Sequence, residues 1–450
     1  MRILVVSSHE QEFGGGEGRA AFEFAVELSR RHDVALLYPG RQPRGLPEGA
    51  RLRVYTVRSI DYTIPALRGR EIAEILRFVE EFSPEVVHSH TPWFLGAMVQ
   101  AWAWIRGVPF FYTGHELPSR IVEWGLVRYL RGVLQSPLLH LLTRTYLVSF
   151  CRHCTGVVAL NRAAADDIRG IGYRGPLHVI PNGRSLAMYN GTEPPDLSAA
   201  DTVLTFVGDF GPRKNQKYLV EMLAHLPPRY HLHLVGHEVD HRYRREIDSV
   251  IGPSLRGRVR FTGRLEHSRI PAQLARTHLW VSASLMEVQS LAVLEALASG
   301  TPVLGLSNET IDELVDFRVG RRLERAATPR EFAQAVRELC ETDPESYRGM
   351  CRAAQERAKP FDWTRAMERA DRMYESARRR SRPARRGTLA IPLLLGTAQM
   401  LIAMIVFRIL RITTFADALQ AGRRHAARRA GHPRPFPLLW RQASGAVPKR

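Results

Sequence analysis

Short unbroken apolar runs alternate with amphipathic stretches along most of this chain. Residues 3–6, 34–38, 86–90 and 110–116 each read as a strand, the last two running into polar residues at their ends. Runs of this length bounded by turn signals suit strands buried on both faces, as in a parallel sheet. Between them, 19–31 has helical spacing, with Phe22, Ala25, Val26 and Leu28 on or near one face, and 71–82 is a second helix. Runs at 156–160 and 177–180 complete this half. Residues 190–200 gather Gly, Glu, two Pro and Asp and read as a linker. A second alternation follows, with strands at 203–207, 231–235, 259–262, 279–282 and 303–306 and helices at 218–226, 270–275 and 291–299. The pattern predicts an α/β protein of two doubly wound, Rossmann-like domains, 1–189 and 201–360. A helix over 361–378 closes them, with Phe361, Trp363 and Tyr374 as anchors.

The most informative stretch is 286–303. Ser290 is placed to cap a helix over 291–299, Gly300 to end it and Pro302 to stop it. Glu287 then lies in the loop facing the helix N-terminus and Glu295 within the helix. Free N–H groups at a helix N-terminus seat a phosphate. Two carboxylates beside that seat suit hydroxyl-rich groups joined to the phosphate, such as ribose and sugar. Strand ends elsewhere carry further candidates. Gly208, Asp209, Arg213 and Lys214 follow the first strand of the second half, and a planar guanidinium can hold two phosphate oxygens. His90 and His115 stand at strand ends of the first half, where ligands gather in open parallel sheets. The loop 14–18 holds Gly15 and Gly16 but is not a dinucleotide fingerprint, because Arg19 stands where the last Gly belongs.

The stretch around Glu287 and Glu295 resembles the E-x7-E region of the family-four retaining glycosyltransferases, whose GT-B fold sets two Rossmann-like domains across a cleft. The resemblance spans residues 1 to about 377. It implies that Glu287 contacts the donor sugar, Glu295 holds the nucleotide ribose and Lys214 grips the donor diphosphate. Asp209 occupies the family's usual Arg position, so Arg213 is expected to supply that positive charge unless Asp209 points away. By the same resemblance Gly15 and Gly16 let the first domain approach the donor phosphates, and His115 faces the donor sugar. The catalytic residues expected are His115, Glu287 and Lys214. Gly15, Gly16, Gly208, Arg213, Lys214, Ser290, Leu291 and Glu295 form the expected donor-binding set. The helix 361–378 is expected to cross back to the first domain. Val288 and Gln289 depart from the family, which often has Gly after the first Glu. Pro181, Asn182 and Gly183 resemble its P-N-G-V-D segment, with Arg184 and Ser185 replacing Val and Asp. The implied chemistry is front-face transfer with no dedicated metal and no cofactor. The nucleotide-sugar, a UDP- or GDP-sugar, is a substrate.

Charge changes the picture at one end only. Of a formal net charge of +19 over 450 residues, the segment from Arg378 to Arg450 carries +15, from sixteen basic residues against Asp417. Within it, residues 388–407 are free of charge and just long enough to span a bilayer. A C-terminal membrane segment in a basic tail, 379–450, is therefore expected, on or in an anionic membrane. The basic residues preceding it favour the cytoplasmic face of the plasma (inner) membrane. Residues 121–150 mix Leu, Trp and Arg and offer a second candidate contact with lipid. A membrane setting favours a lipid-linked sugar or glycolipid as acceptor, with a soluble sugar as rival. A catalytically inactive GT-B assembly partner is the alternative that Asp209 suggests. Nucleic acid is not expected as a partner, because the body shows no aromatic-rich basic motif. Four cysteines make no disulfide framework, and Cys151 and Cys154 read as core residues of a reducing compartment. The first apolar run is too short for a signal peptide.

Overall fold

The apolar runs fold into two large parallel sheets. The computed structural model describes residues 1–379, apart from 12–14, 43–45, 47–49, 62–63, 66–68, 121–136, 190, 192–194, 196, 199 and 239–240. The first sheet holds β1 (Arg2–Val6), β2 (Asp33–Pro39), β3 (Leu52–Val57), β4 (Val86–Ser89), β5 (Phe110–Gly114), β6 (Gly156–Ala159) and β7 (Leu177–Val179). Their order is β3-β2-β1-β4-β5-β6-β7, with every pairing parallel. The second holds β8 (Thr202–Val207), β9 (Tyr230–Val235), β10 (Val259–Gly263), β11 (Leu279–Ser282), β12 (Val303–Leu306) and β13 (Gly320–Leu323), in the order β10-β9-β8-β11-β12-β13 and again parallel. Both orders reverse direction beside the first strand of the sheet, and a crevice opens there at the strands' carboxyl ends.

Strand β1 shows why the runs are unbroken. Leu4 and Val6 join one apolar cluster, and Ile3 and Val5 join another on the opposite face. Successive side chains point to opposite faces, so a strand covered on both sides needs apolar residues at every position. The Ile3 face is covered by Phe22, Phe24 and Ala25 of the helix Gly15–Ser29. It is also covered by Trp363, Met367 and Tyr374 of the last described helix, Trp363–Arg379. That helix follows the second sheet in the chain and packs on the first.

One boundary differs from expectation in a way that matters. The glycine segment expected as a loop, 14–18, is helical from Gly15 onward; Gly14 lies outside the described residues. Gly18 sits so close to the preceding loop that a Cβ would come 2.2 Å from the Glu10 carbonyl oxygen. These glycines therefore form the first turn of the helix and bring its open N–H end to the crevice.

Gly183, in the P-N-G segment, is a packing contact. A Cβ there would lie 2.4 Å from Trp363 Cδ2 and 2.8 Å from Trp363 Cα. The Trp363 backbone cannot retreat without undocking its helix. Gly183→Ala is therefore expected to cost about 1–3 kcal/mol of stability by overpacking, read as a lowered urea midpoint with an unchanged m-value. An unchanged midpoint would mean that the helix start yields freely.

The hydrophobic segment 388–407 and the tail from Arg380 lie outside the described residues. No helix among the described residues is long and apolar enough to cross a membrane. Of the second candidate contact, 121–136 lies outside the described residues too. The rest is the helix Pro137–Arg152, whose Tyr146, Leu147 and Phe150 are buried in the first domain's core, while Leu141 is exposed.

Candidate active site

A cavity of about 580 Å³ lies between the two sheets, at their carboxyl ends. Gly15, Gly16 and His115 line it from the first domain, and Gly208, Arg213, Lys214, Glu287, Ser290, Leu291 and Glu295 line it from the second. All the residues expected from the sequence to handle the donor thus meet at one cavity, although they come from four separate segments. The two helix N-termini face each other across it: a Cβ on Gly16 would lie 4.0 Å from Leu291 Cδ1. Ser290 occupies the N-cap position of the helix Leu291–Ala298, yet its side chain makes no capping bond. Its own N–H goes instead to Thr310 Oγ1 at 2.9 Å. The first-turn amides are therefore not capped by Ser290, the arrangement that suits an anion.

Glu287 is held by two cations. Lys214 Nζ donates to its Oε1, and Arg213 Nη1 lies 3.6 Å from its Oε2. Burial pushes the Glu287 carboxyl up, but Lys214 and Arg213 outweigh it and hold it below the ordinary 4.5. Burial lowers the Lys214 pKa, opposed by Glu287. The loop itself is anchored on the first domain. Met286 and Val288 are buried within the first domain's apolar cluster. Asn161 Nδ2 donates to the Val288 carbonyl at 2.6 Å, and the Asn182 N–H donates to Gln289 Oε1 at 2.7 Å. The two departures from the family pattern, Val288 and Gln289, are interdomain contacts.

Asp209 has a local task. Its Oδ1 accepts the His237 N–H at 3.3 Å, tying the loop after β8 to the loop after β9. These loops touch so closely that a Cβ on Gly236 would lie 2.0 Å from the Gly208 carbonyl oxygen. Asp209 therefore secures a glycine-only backbone crossing, and the positive charge beside it comes from Lys214 and Arg213.

Glu295 is buried in the helix and takes two partners on one oxygen. His267 Nε2 lies 2.9 Å from Oε1, and Arg184 Nη2 lies 3.2 Å from the same atom. Burial pushes this carboxyl up, and Arg184 and His267 hold it below 4.5. Sequence reasoning missed both partners. His267 lies in a polar connection with no periodic signal. Arg184 showed only as a departure in the P-N-G segment.

His115 stands just beyond β5, with its Nε2 2.8 Å from His90 Nδ1. His88, His90 and His115 stack in series, with ring centroids 5.1 Å apart at each step. His88 reaches Tyr374 of the closing helix on one side and Thr113 Oγ1, at 2.6 Å, on the other. His90 is thus a link in a buried stack, whereas His115 reaches the cavity. The four cysteines are free and buried. No cluster of three or more His, Cys, Asp or Glu that could hold a metal occurs among the described residues.

A family model described as Glycosyltransferase Family 4 matches residues 14–187, and one described as Glycosyl transferases group 1 matches 201–342. The chain belongs to the family-four glycosyltransferases. This glycosyltransferase is 22% identical over 392 residues to the GDP-mannose-dependent α-mannosyltransferase of Corynebacterium glutamicum, spanning 81% of this chain and 86% of that relative. It is 30% identical over 166 residues to the lipopolysaccharide core biosynthesis glycosyltransferase LpsE of Rhizobium meliloti, spanning 36% of this chain and 47% of LpsE. Its fold matches that of Anabaena Alr3699/HepE, solved in complex with UDP and glucose, with a TM-score of 0.69 at 21% identity. That match covers 84% of this chain and 100% of the other. The two sheets are the two domains of a GT-B fold, and the enzyme is a nucleotide-sugar glycosyltransferase.

Proposed function

We propose that this enzyme transfers a hexose from a UDP- or GDP-sugar, with retention, to a lipid-linked sugar or glycolipid at the cytoplasmic face of a membrane. The observation that carries the donor side is the convergence of Glu287, Glu295, Lys214 and Arg213 on one cavity between two opposed helix N-termini. In this reading the diphosphate lies against Lys214, Arg213 and the first-turn amides of the helix that begins at Leu291. Glu295 takes the ribose hydroxyls, and Glu287 and His115 take the sugar hydroxyls. The sugar C1–O bond breaks with its electron pair going to the departing phosphate oxygen, where the cations and the helix dipole meet the growing charge. The acceptor hydroxyl attacks the same face and passes its proton to that oxygen. A UDP donor is supported by the likeness to Alr3699/HepE, and a GDP donor by the Corynebacterium relative. The membrane acceptor is supported by the uncharged segment 388–407 within a strongly basic tail and by the likeness to LpsE.

The test is a binding and transfer screen on the full chain with UDP-, GDP- and ADP-sugars, offering acceptor either in anionic vesicles or as free sugar. One donor is expected to bind, with Glu295→Ala weakening it about tenfold or more. Transfer is expected to the vesicle-borne acceptor. Failure of every donor to bind folded protein would overturn the donor site. Equal transfer to soluble sugar would overturn the membrane acceptor.

A further inference from the structure

Arg184 is the most completely buried charge beside the cavity, with 1% of its side chain exposed. A buried cation is retained only where carboxylates and hydrogen bonds offset its desolvation. Here the two carboxylates come from different domains. Arg184 Nη1 donates to Glu23, on the helix Gly15–Ser29 whose first turn lines the cavity. Arg184 Nη2 lies 3.2 Å from Glu295 Oε1 on the helix Leu291–Ala298. The Arg184 backbone is fixed as well, its N–H donating to the Phe361 carbonyl at 2.7 Å where the chain turns toward the closing helix. Burial works to lower its pKa, and Glu23 and Glu295 together hold it above the ordinary arginine value.

The arrangement around Glu295 is asymmetric. His267 hydrogen-bonds Oε1 and Arg184 Nη2 faces the same oxygen as an ion pair without hydrogen-bond geometry, while Oε2 takes no hydrogen bond among the described residues. A carboxylate pinned through one oxygen presents the other in a fixed direction. Glu295 itself lines the cavity.

We propose that Arg184 is a positioning residue for nucleotide recognition. It clamps Glu295 between the two domains so that the free oxygen meets the ribose hydroxyls, which makes the site selective for ribonucleotides over deoxyribonucleotides. The inference rests on the reading that Glu295 takes the ribose. It goes beyond it by assigning the selectivity to an interdomain ion pair, Glu23–Arg184–Glu295. A guanidinium can serve two carboxylates at once through separate nitrogens, which a lysine ammonium reaches with poorer geometry.

The experiment measures binding of UDP and GDP, and of their 2′,3′-dideoxy forms, to the full chain by calorimetry. Wild type, Arg184→Lys, Arg184→Met, Glu23→Gln and Glu295→Gln are compared, with the melting temperature recorded for each. Wild type is expected to prefer the ribo form about tenfold or more, since each lost hydrogen bond to a charged group is worth roughly that factor. Arg184→Met and Glu295→Gln are expected to collapse the preference, by weakening the ribo form while leaving dideoxy binding nearly unchanged. Arg184→Lys and Glu23→Gln are expected to fall between, and they carry the test if Arg184→Met fails to fold. A merely structural Arg184 would lower the melting temperature and leave the preference intact. If Glu295→Gln collapses the preference and the Arg184 and Glu23 variants do not, the positioning role is overturned alone. If Glu295→Gln leaves the preference unchanged, the ribose reading fails and the positioning role falls with it.

Discussion

Replacing Lys214 by Ala is expected to lower kcat by about 10²–10³-fold, the usual effect of deleting one preorganised donor to a developing negative charge. The argument starts from where the ammonium sits. Lys214 follows the loop after β8, where an open parallel sheet binds ligands, and 18% of its side chain is exposed. Its partner Glu287 keeps the nitrogen at the cavity and largely out of water, so its field is weakly screened. Negative charge grows on the departing phosphate as the C1–O bond breaks, so Lys214 acts more strongly on the transition state than on the bound donor. The loss should therefore fall mainly on kcat, with a smaller rise in donor KM. Arg213 is no full substitute, because its Nη1 is bonded to the Met286 carbonyl and its side chain is twice as exposed, at 36%. Lys214→Arg should restore part of the rate. Steady-state transfer assays beside circular dichroism decide the matter. A folded Lys214→Ala enzyme with wild-type kcat would remove Lys214 from the chemistry.

Mild acidification is expected to destabilise this protein through the stacked histidines of the first domain. His88 is buried between Tyr374, Thr113, Phe24 and Phe111, and burial lowers its pKa from 6.5 to about 3. Burial holds His90 well below 6.5, with its neighbours His88 and His115 adding to the shift. Both rings are therefore neutral in the folded state, while in the unfolded chain they take up protons below 6.5. The unfolded state binds more protons in that window. Stability is then complete above pH 6.5 and is lost as the pH falls toward the folded values. At pH about 5 His88 should cost the fold about 2 kcal/mol, with His90 acting in the same direction. That is a large share of the roughly 5–15 kcal/mol available to a typical domain. Urea unfolding at neutral and mildly acid pH measures the slope, and His88→Gln should reduce it by about one proton. Stability that stays flat down to pH about 5 would show that the rings gain partners for the charged form.

Much of the candidate site was legible because its signals are local. The eight-residue spacing of Glu287 and Glu295 spans a loop and a helix that the capping pattern already marks. Lys214 is placed by the strand before it and His115 by β5. What remained illegible concerned side chains that meet only after the sheets are assembled. Asp209 read as a carboxylate in a phosphate site, and the structure spends it on the His237 amide. Val288 and Gln289 read as departures, and they are the points where the loop docks on the first domain. The glycines of 14–18 read as a loop because helix propensity counts against Gly, yet Gly18 packs so closely on the Glu10 carbonyl that this turn needs a residue without a Cβ there.

By itself the amino-acid sequence determined two α/β halves, their strands, and the acid and cation sets at the strand ends. Period-two and helical patterns are local, and each strand's double burial is written into its own residues. Only the tertiary structure decided that Glu23, Arg184 and Glu295 form one buried chain of charge, across 161 residues between the first pair. It alone decided that His267 completes it. Such meetings depend on strand order and on how the two sheets face each other, and a local pattern carries no record of either.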